Sequence, residues 1–181
     1  MKKTILIIIG AGALVLSAFN VVNEWIVDEK AAIVKWEVPA GNKTGTFEKM
    51  TASIDFDKKN LAAAKVNAVV VVNSVKAGNE KLEAHLLSPD YFDAEKFPKI
   101  SFVSTEVSAK DSWFIAKGKL TMKDSTKVIE LPFTFTEAGA SKAVFSGTMT
   151  INSADFGVMK ANPNKPGVDK VIIYLNVPVS K

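Results

Sequence analysis

The sequence predicts an all-β domain of eight antiparallel strands with one short helix. Three observations carry that expectation. Apolar and polar residues alternate with period two from about residue 25 onward, the pattern of strands buried on one face. Turn-forming clusters separate the alternating runs: Gly41-Asn42, Asp57-Lys58-Lys59-Asn60, Lys110-Asp111-Ser112, Lys123-Asp124-Ser125 and Ala138-Gly139. Helical spacing is confined to residues 79–87, where Leu82, His85 and Leu86 share a face.

Taken in order, the strands begin with Val34, Trp36 and Val38 alternating with Lys35 and Glu37. Met50, Ala52, Ile54 and Phe56 alternate with Thr51, Ser53, Asp55 and Asp57. Phe47 falls on the wrong face of that second strand, and a bulge near Gly45 would repair it. Val66, Ala68, Val70 and Val72 form the next apolar face. Residues 100–107 make a strand whose inward face the pattern leaves ambiguous. Phe114, Ala116, Gly118, Leu120 and Met122 oppose Lys117, Lys119 and Lys123. Over 128–136, Ile129, Leu131, Phe133 and Phe135 share a face opposite Pro132. Proline cannot donate to a ladder, so this strand is at an edge, bulged, or unpaired at that position. Ala143, Phe145, Gly147, Met149 and Ile151 line one face of the seventh strand, and Val171, Ile173, Leu175, Val177 and Val179 one face of the last. Residues 161–169 read as a Pro/Asn/Gly loop.

One helix cannot cover eight strands that each have an apolar face to bury, which leaves a two-sheet sandwich or a closed barrel. Periodicity alone does not choose between them. A closed eight-stranded barrel has an interior just wide enough for packed side chains or one small ligand.

Composition removes several function classes. The 181-residue chain has no cysteine, so disulfides, thiolate metal sites and thiol nucleophiles are excluded. His85 is its only histidine, which argues against multi-histidine metal centres, and no metal site is expected. The formal net charge is +4, two of those charges being Lys2 and Lys3, and all 23 basic residues are lysines. Arginine is the preferred reader of guanine and phosphate, so its absence argues against nucleic-acid recognition. Ser88 and Ser104 lack a nucleophile-elbow context. Asp90, Asp93 and Glu95 read as turn-capping side chains ahead of Phe97-Pro98. No catalytic residue is expected.

The N-terminus reads as an address. Lys2 and Lys3 precede an apolar run over residues 5–16, and small Ser17 and Ala18 follow. This is the pattern of a secretory signal peptide at 1–18, with a mature domain over 19–181 and a periplasmic or secreted destination. An uncleaved membrane anchor is the alternative.

From His85 to Phe102 the chain reads H-L-L-S-P-D-Y-F-D-A-E-K-F-P-K-I-S-F. This resembles the signature of the YceI-like family, with a His-Leu pair, an acidic-aromatic-Phe-Asp turn, then Phe-Pro and a strand. Trp25-Ile26-Val27-Asp28, Thr44-Gly45-Thr46-Phe47, Gly118-Lys119-Leu120-Thr121-Met122 with Thr126-Lys127, and Ile151-Asn152 with Asp155-Phe156-Gly157 resemble further family elements in the same order. Two positions depart: Ser153 and the Leu82-Glu83 pair stand where many relatives carry Arg and Arg-Asp. Head-group contacts made there in relatives are not carried over.

The resemblance implies an extended, lipocalin-like barrel around a polyisoprenoid or similar long-chain lipid, with no other cofactor. The expected ligand contacts are Trp36, Ile54, Phe56, Val70, His85, Leu86, Phe92, Phe102, Phe114, Ala116, Leu120, Phe133, Phe135, Phe145, Met149, Phe156, Ile173 and Leu175. Inward-facing Ala52, Ala68, Ala116, Gly118 and Gly147 would leave room for the lipid, whereas pattern alone favours a solid core. Non-catalytic lipid carriage is the expected function, against a ligand-free structural or stress-related barrel and a lipid-modifying enzyme. Transient membrane contact and a homodimer are compatible with the sequence, which does not fix the oligomeric state.

Overall fold

The computed structural model describes residues 24–159 and 163–181. The expected export segment, and with it the 1–18 boundary, lies outside the described residues. The elements are β1 (Glu24–Val27), β2 (Ile33–Val38), β3 (Lys43–Phe47), β4 (Met50–Asp55), β5 (Lys65–Val71), β6 (Val75–Lys76), α1 (Glu80–Leu87), β7 (Lys99–Lys110), β8 (Trp113–Met122), β9 (Ser125–Glu137), β10 (Lys142–Asn152) and β11 (Lys170–Ser180).

All pairings are antiparallel, and the ring β1-β4-β5-β7-β8-β9-β10-β11 closes through β1 against β11. Closure of the ring settles the choice between sandwich and barrel. β2 pairs with β11 beside β1, β3 pairs with β2, and β6 pairs with β3. The first three of the eight staves are therefore interrupted strands: β1 with β2, β3 with β4, and β5 with β6.

Specific polar groups hold these interruptions. At the first, the Asp28 carboxylate accepts from the N–H groups of Lys30 and Ala31, a turn built by an Asx side chain. The other two share buried Ser74, whose hydroxyl donates to the Val71 carbonyl at 2.6 Å and accepts from Lys49 N–H at 3.0 Å. Glu48 N–H donates to the Ser74 carbonyl. The break at residues 48–49 resets the alternation, so Phe47 and Met50 both point inward and are buried. The bulge expected near Gly45 is absent. Gly45 sits in regular register opposite Trp36, where an added Cβ would collide with the indole and with the Lys76 carbonyl.

A second phase change explains the ambiguity of residues 100–107. The β7–β8 register shifts between Ser104 and Glu106. Ile100 and Phe102 are buried before this bulge and Val107 after it, so inward positions pass from even to odd numbers.

Pro132 marks the end of a ladder. β9 pairs with β10 from Ala143↔Glu137 only as far as Gly147↔Phe133. Beyond that point the first half of β9 pairs with β8 alone, and the end of β10 with β11 alone. The missing proline N–H falls where pairing stops.

α1 begins at Asn79, whose side chain accepts from Leu82 N–H at 3.1 Å, an N-cap. Glu83 fastens the helix to β6 by accepting from Ala77 N–H at 2.9 Å. The turn after α1 runs through backbone bonds, Phe92 N–H to Leu86 O and Ala94 N–H to Leu87 O, with Asp93 in the left-handed region at φ 51°. Among the described residues, no side-chain cap from Asp90, Asp93 or Glu95 accompanies them.

Candidate functional site

The barrel interior has two zones, both set by the inward alternation of the strands. At the end near β1, Trp25, Phe56, Phe114, Phe133, Phe135 and Phe145 pack into one aromatic cluster with ring centroids 4.9–6.5 Å apart. Phe56 is its hub, 1% exposed and in contact with four other rings. The Trp25 indole N–H donates to the Phe56 carbonyl at 3.0 Å, satisfying its buried polar atom. This cluster closes one end of the barrel.

Above it the interior is hollow. A cavity of about 210 Å³ is lined by inward residues of every stave, including Val34, Ala52, Val66, Ala68, Ile151, Val171 and Val177. Its floor is Phe133 and Phe145. One water needs about 10–15 Å³, so this space is no packing defect. Ala52, Val66, Ala68, Gly147 and Met149 remain half-buried although they face inward, because the wall they form faces space rather than opposing side chains. From Phe145 to Ile151 the cavity follows six residues of β10, about 20 Å along the strand and about 15 Å along the axis of a tilted barrel.

Two covers lie over the far end. One is α1 with the turn after it, contributing Leu86, Tyr91 and Phe92; Phe92 also packs edge-on against Phe47. The other is the 3₁₀ turn Ser153–Phe156 and the residues following it, contributing Ser153, Val158 and Met159. This turn continues from the end of β10 and packs back on β9, so it covers the stretch where those strands are not laddered.

The wall is nearly free of polar side-chain groups. Ser153 is occupied, its hydroxyl donating to the Asp169 carbonyl at 3.1 Å. The Trp36 indole N–H is buried without a hydrogen-bond partner among the described residues. Among the described residues, none that lines the wall carries a charge. Such a surface can desolvate hydrocarbon and offers nothing to an ion. Among the described residues, no cluster of His, Asp or Glu is arranged to hold a metal.

Thirteen of the residues expected to touch ligand line this cavity: Trp36, Ile54, Val70, Leu86, Phe92, Phe102, Ala116, Leu120, Phe133, Phe145, Met149, Ile173 and Leu175. Five do not. Phe56, Phe114 and Phe135 belong to the aromatic cluster beneath the floor. Phe156 is buried in the cover over the β9–β10 gap, 2% exposed. His85 is exposed on the outer side of α1, edge-on to Tyr91 with centroids 4.5 Å apart. It does not face the barrel as its spacing from Leu82 suggested. The helix turns Leu86 and Leu87 toward the core instead, with Leu82 and Glu83 half-buried beside them.

Sequence reasoning missed Phe47, Tyr91, Ile100, Val158 and Met159 as wall residues. The aromatic pair Tyr91-Phe92 beside a helix end was a usable signal; Val158 and Met159 lie in a cover with no periodicity. Of the small residues, Ala52, Ala68, Ala116 and Gly147 border the cavity. Gly118 does not, because the Phe102 ring lies over it.

An antiparallel barrel plugged by aromatic rings at one end, with an apolar chamber above, belongs to the lipocalin-like architectures that enclose small molecules. The chain belongs to the YceI-like family, whose domain model matches residues 25–180. A UPF0312 protein of Yersinia enterocolitica is 34% identical over 119 residues, 63% of this chain and 62% of that relative's length. Among solved structures, BcnA of Burkholderia cenocepacia superposes with a TM-score of 0.77 at 24% identity, covering 84% of this chain and 98% of BcnA. A polyisoprenoid binding domain from Saccharophagus degradans, implicated in plant cell wall breakdown, superposes with a TM-score of 0.66 at 12% identity, covering 88% of this chain and 98% of that domain. At these identities both likenesses speak to the fold.

Proposed function

We propose that this chain is a non-catalytic carrier, outside the cytoplasm, of one long-chain apolar lipid such as a polyisoprenoid. The observation that carries the reading is the apolar cavity over an aromatic floor. Apolar cavities of this size class stay dry and take up hydrocarbon, and each methylene a ligand buries contributes about 0.8 kcal/mol. The Saccharophagus domain, described as polyisoprenoid-binding, has the same fold. Export is supported by the basic and apolar N-terminal pattern of residues 2–16. Carriage is favoured over chemistry because the described residues of the wall offer neither a charged acid–base group nor a nucleophile beside a base.

The test is a chain-length series. Saturated alcohols of increasing length compete with cis-parinaric acid for the delipidated protein. Affinity rises with each added methylene until the tail reaches Phe133 and Phe145, then levels off. Affinity independent of length, or no displacement at any length, overturns the reading.

A further inference from the structure

The two covers are tied together by one side chain. Lys123, in the β8–β9 turn at φ 53°, donates from its ammonium to the carbonyls of Tyr91 at 2.8 Å, Gly157 at 3.0 Å and Pro89 at 3.4 Å. Pro89 and Tyr91 belong to the cover that follows α1, and Gly157 to the cover over the β9–β10 gap. Three carbonyls on one ammonium are charge-assisted bonds, and they join segments that are otherwise far apart in sequence.

Two unladdered places in the ring of described strands lie under the covers: the β9–β10 seam beyond Pro132, under the second cover, and β6, which pairs with β3 alone and lies against α1. At the laddered joints, opening the barrel sideways would break strand hydrogen bonds, and the gap at β6 is spanned by α1, which Glu83 fastens to Ala77. Between β9 and β10, beyond Pro132, it would only displace Phe156 and Val158 from their packing. Gly157 holds that cover by ending the 3₁₀ turn in the left-handed region, at φ 65°, which glycine adopts without strain.

We infer that the β9–β10 seam is the portal through which the ligand enters and leaves, with the segment Ser153–Met159 as its door and Lys123 as the latch. The inference rests on the lipid-carrier reading and adds the route. The door is held together by Val158 N–H donating to the Ser153 carbonyl and Gly157 N–H to the Ala154 carbonyl, and Ser153 N–H, bonded to the Asp169 carbonyl, anchors its hinge end; among the described residues its polar tie to the first cover is the Lys123 ammonium.

The test measures stopped-flow association and dissociation rates of cis-parinaric acid for the wild type, Lys123→Met, Gly157→Ala and Asn79→Ala. Gly157→Ala strains the closed door without filling space, since an added Cβ there meets nothing within 4 Å. Asn79→Ala loosens the opposite cover by removing the cap of α1. Lys123→Met and Gly157→Ala are expected to raise both rates about tenfold, the factor that about 1.4 kcal/mol represents, with the dissociation constant within about twofold of wild type. Raising both rates at constant affinity is the signature of a gate and is not produced by damage to the pocket. Asn79→Ala is expected to leave both rates unchanged. Acceleration in Asn79→Ala with none in Gly157→Ala places the route under α1 and overturns the portal while leaving the carrier reading intact. Loss of affinity in Lys123→Met and Gly157→Ala at unchanged association rates also overturns it. If the wild type takes up no probe, the carrier reading itself falls, and the portal with it. Thermal melts of each variant separate gating from unfolding.

Discussion

Filling the cavity from its wall distinguishes a chamber from a core, and Ala68 is the position to do it. It lines the cavity, keeps accessible surface although it faces inward, and pairs with Ala52 and Phe102 on its two sides. Gly147 is less suitable, because a Cβ there already lies 2.9 Å from the Pro132 carbonyl. In Ala68→Leu three added carbons enter apolar space. At about 0.8 kcal/mol each they are worth about 2.4 kcal/mol, less about 0.5–1 kcal/mol of lost leucine rotamer freedom. The delipidated variant is therefore about 1.5–2 kcal/mol more stable than wild type, a rise in Tm of about 3–8 °C for a domain of this size. The same three carbons displace ligand carbons, so affinity for a tail long enough to fill the cavity falls by about fiftyfold. Differential scanning calorimetry of the apo protein and cis-parinaric acid titration read the two effects. Destabilisation by about 1–3 kcal/mol, the cost of overpacking, with unchanged ligand affinity would refute the reasoning.

Other perturbations act on the supports of the cavity. Phe56→Ala removes the hub of the aromatic floor and costs about 3–5 kcal/mol, read by urea denaturation; a loss below about 1 kcal/mol would show that the cluster does not close the barrel. Ser74→Ala removes the acceptor of Lys49 N–H and the donor to the Val71 carbonyl and costs about 0.5–1.5 kcal/mol, with faster amide exchange concentrated at the β3–β4 and β5–β6 breaks. Glu83 titrates below the ordinary carboxylate value of 4.5, chiefly because Ala77 N–H bonds its charged form, with burial opposing and Lys76 assisting. A lowered pKa in the folded state means that its contribution is fully present above 4.5 and is lost as pH falls through the lower folded value. Amide protection factors across residues 77–87, corrected for the intrinsic exchange rate at each pH, should step down as the pH drops below 4.5 in the wild type. In Glu83→Gln it should show no such step, and an identical step in both would remove Glu83 from the account.

Much of the architecture was legible because a strand exposes its burial in its period. The faces built on Phe133, Phe145, Ile173 and their neighbours read directly as inward, and the single helix was placed to within a residue of Glu80–Leu87. What the pattern hid lies where the period breaks. Phe47 and Val107 look misplaced until the break at residues 48–49 and the bulge at Thr105 shift the phase. Depth along the barrel was also invisible: Phe56 and Phe133 face the same interior, yet the first is floor packing and the second borders open space. His85 misled because a two-turn helix carries too few residues to fix its orientation by spacing, and Glu83, bonded to Ala77, rotates the inward stripe toward Leu86 and Leu87.

The central claim is that one long-chain apolar molecule occupies the chamber above Phe133 and Phe145. Native mass spectrometry of the protein isolated gently from its own host tests it most directly. The account predicts a mass excess corresponding to one long-chain lipid per chain, released on solvent extraction and absent from Ala68→Leu prepared in the same way. A spectrum showing only the bare chain for wild type under those conditions, with nothing in the organic extract, would contradict it.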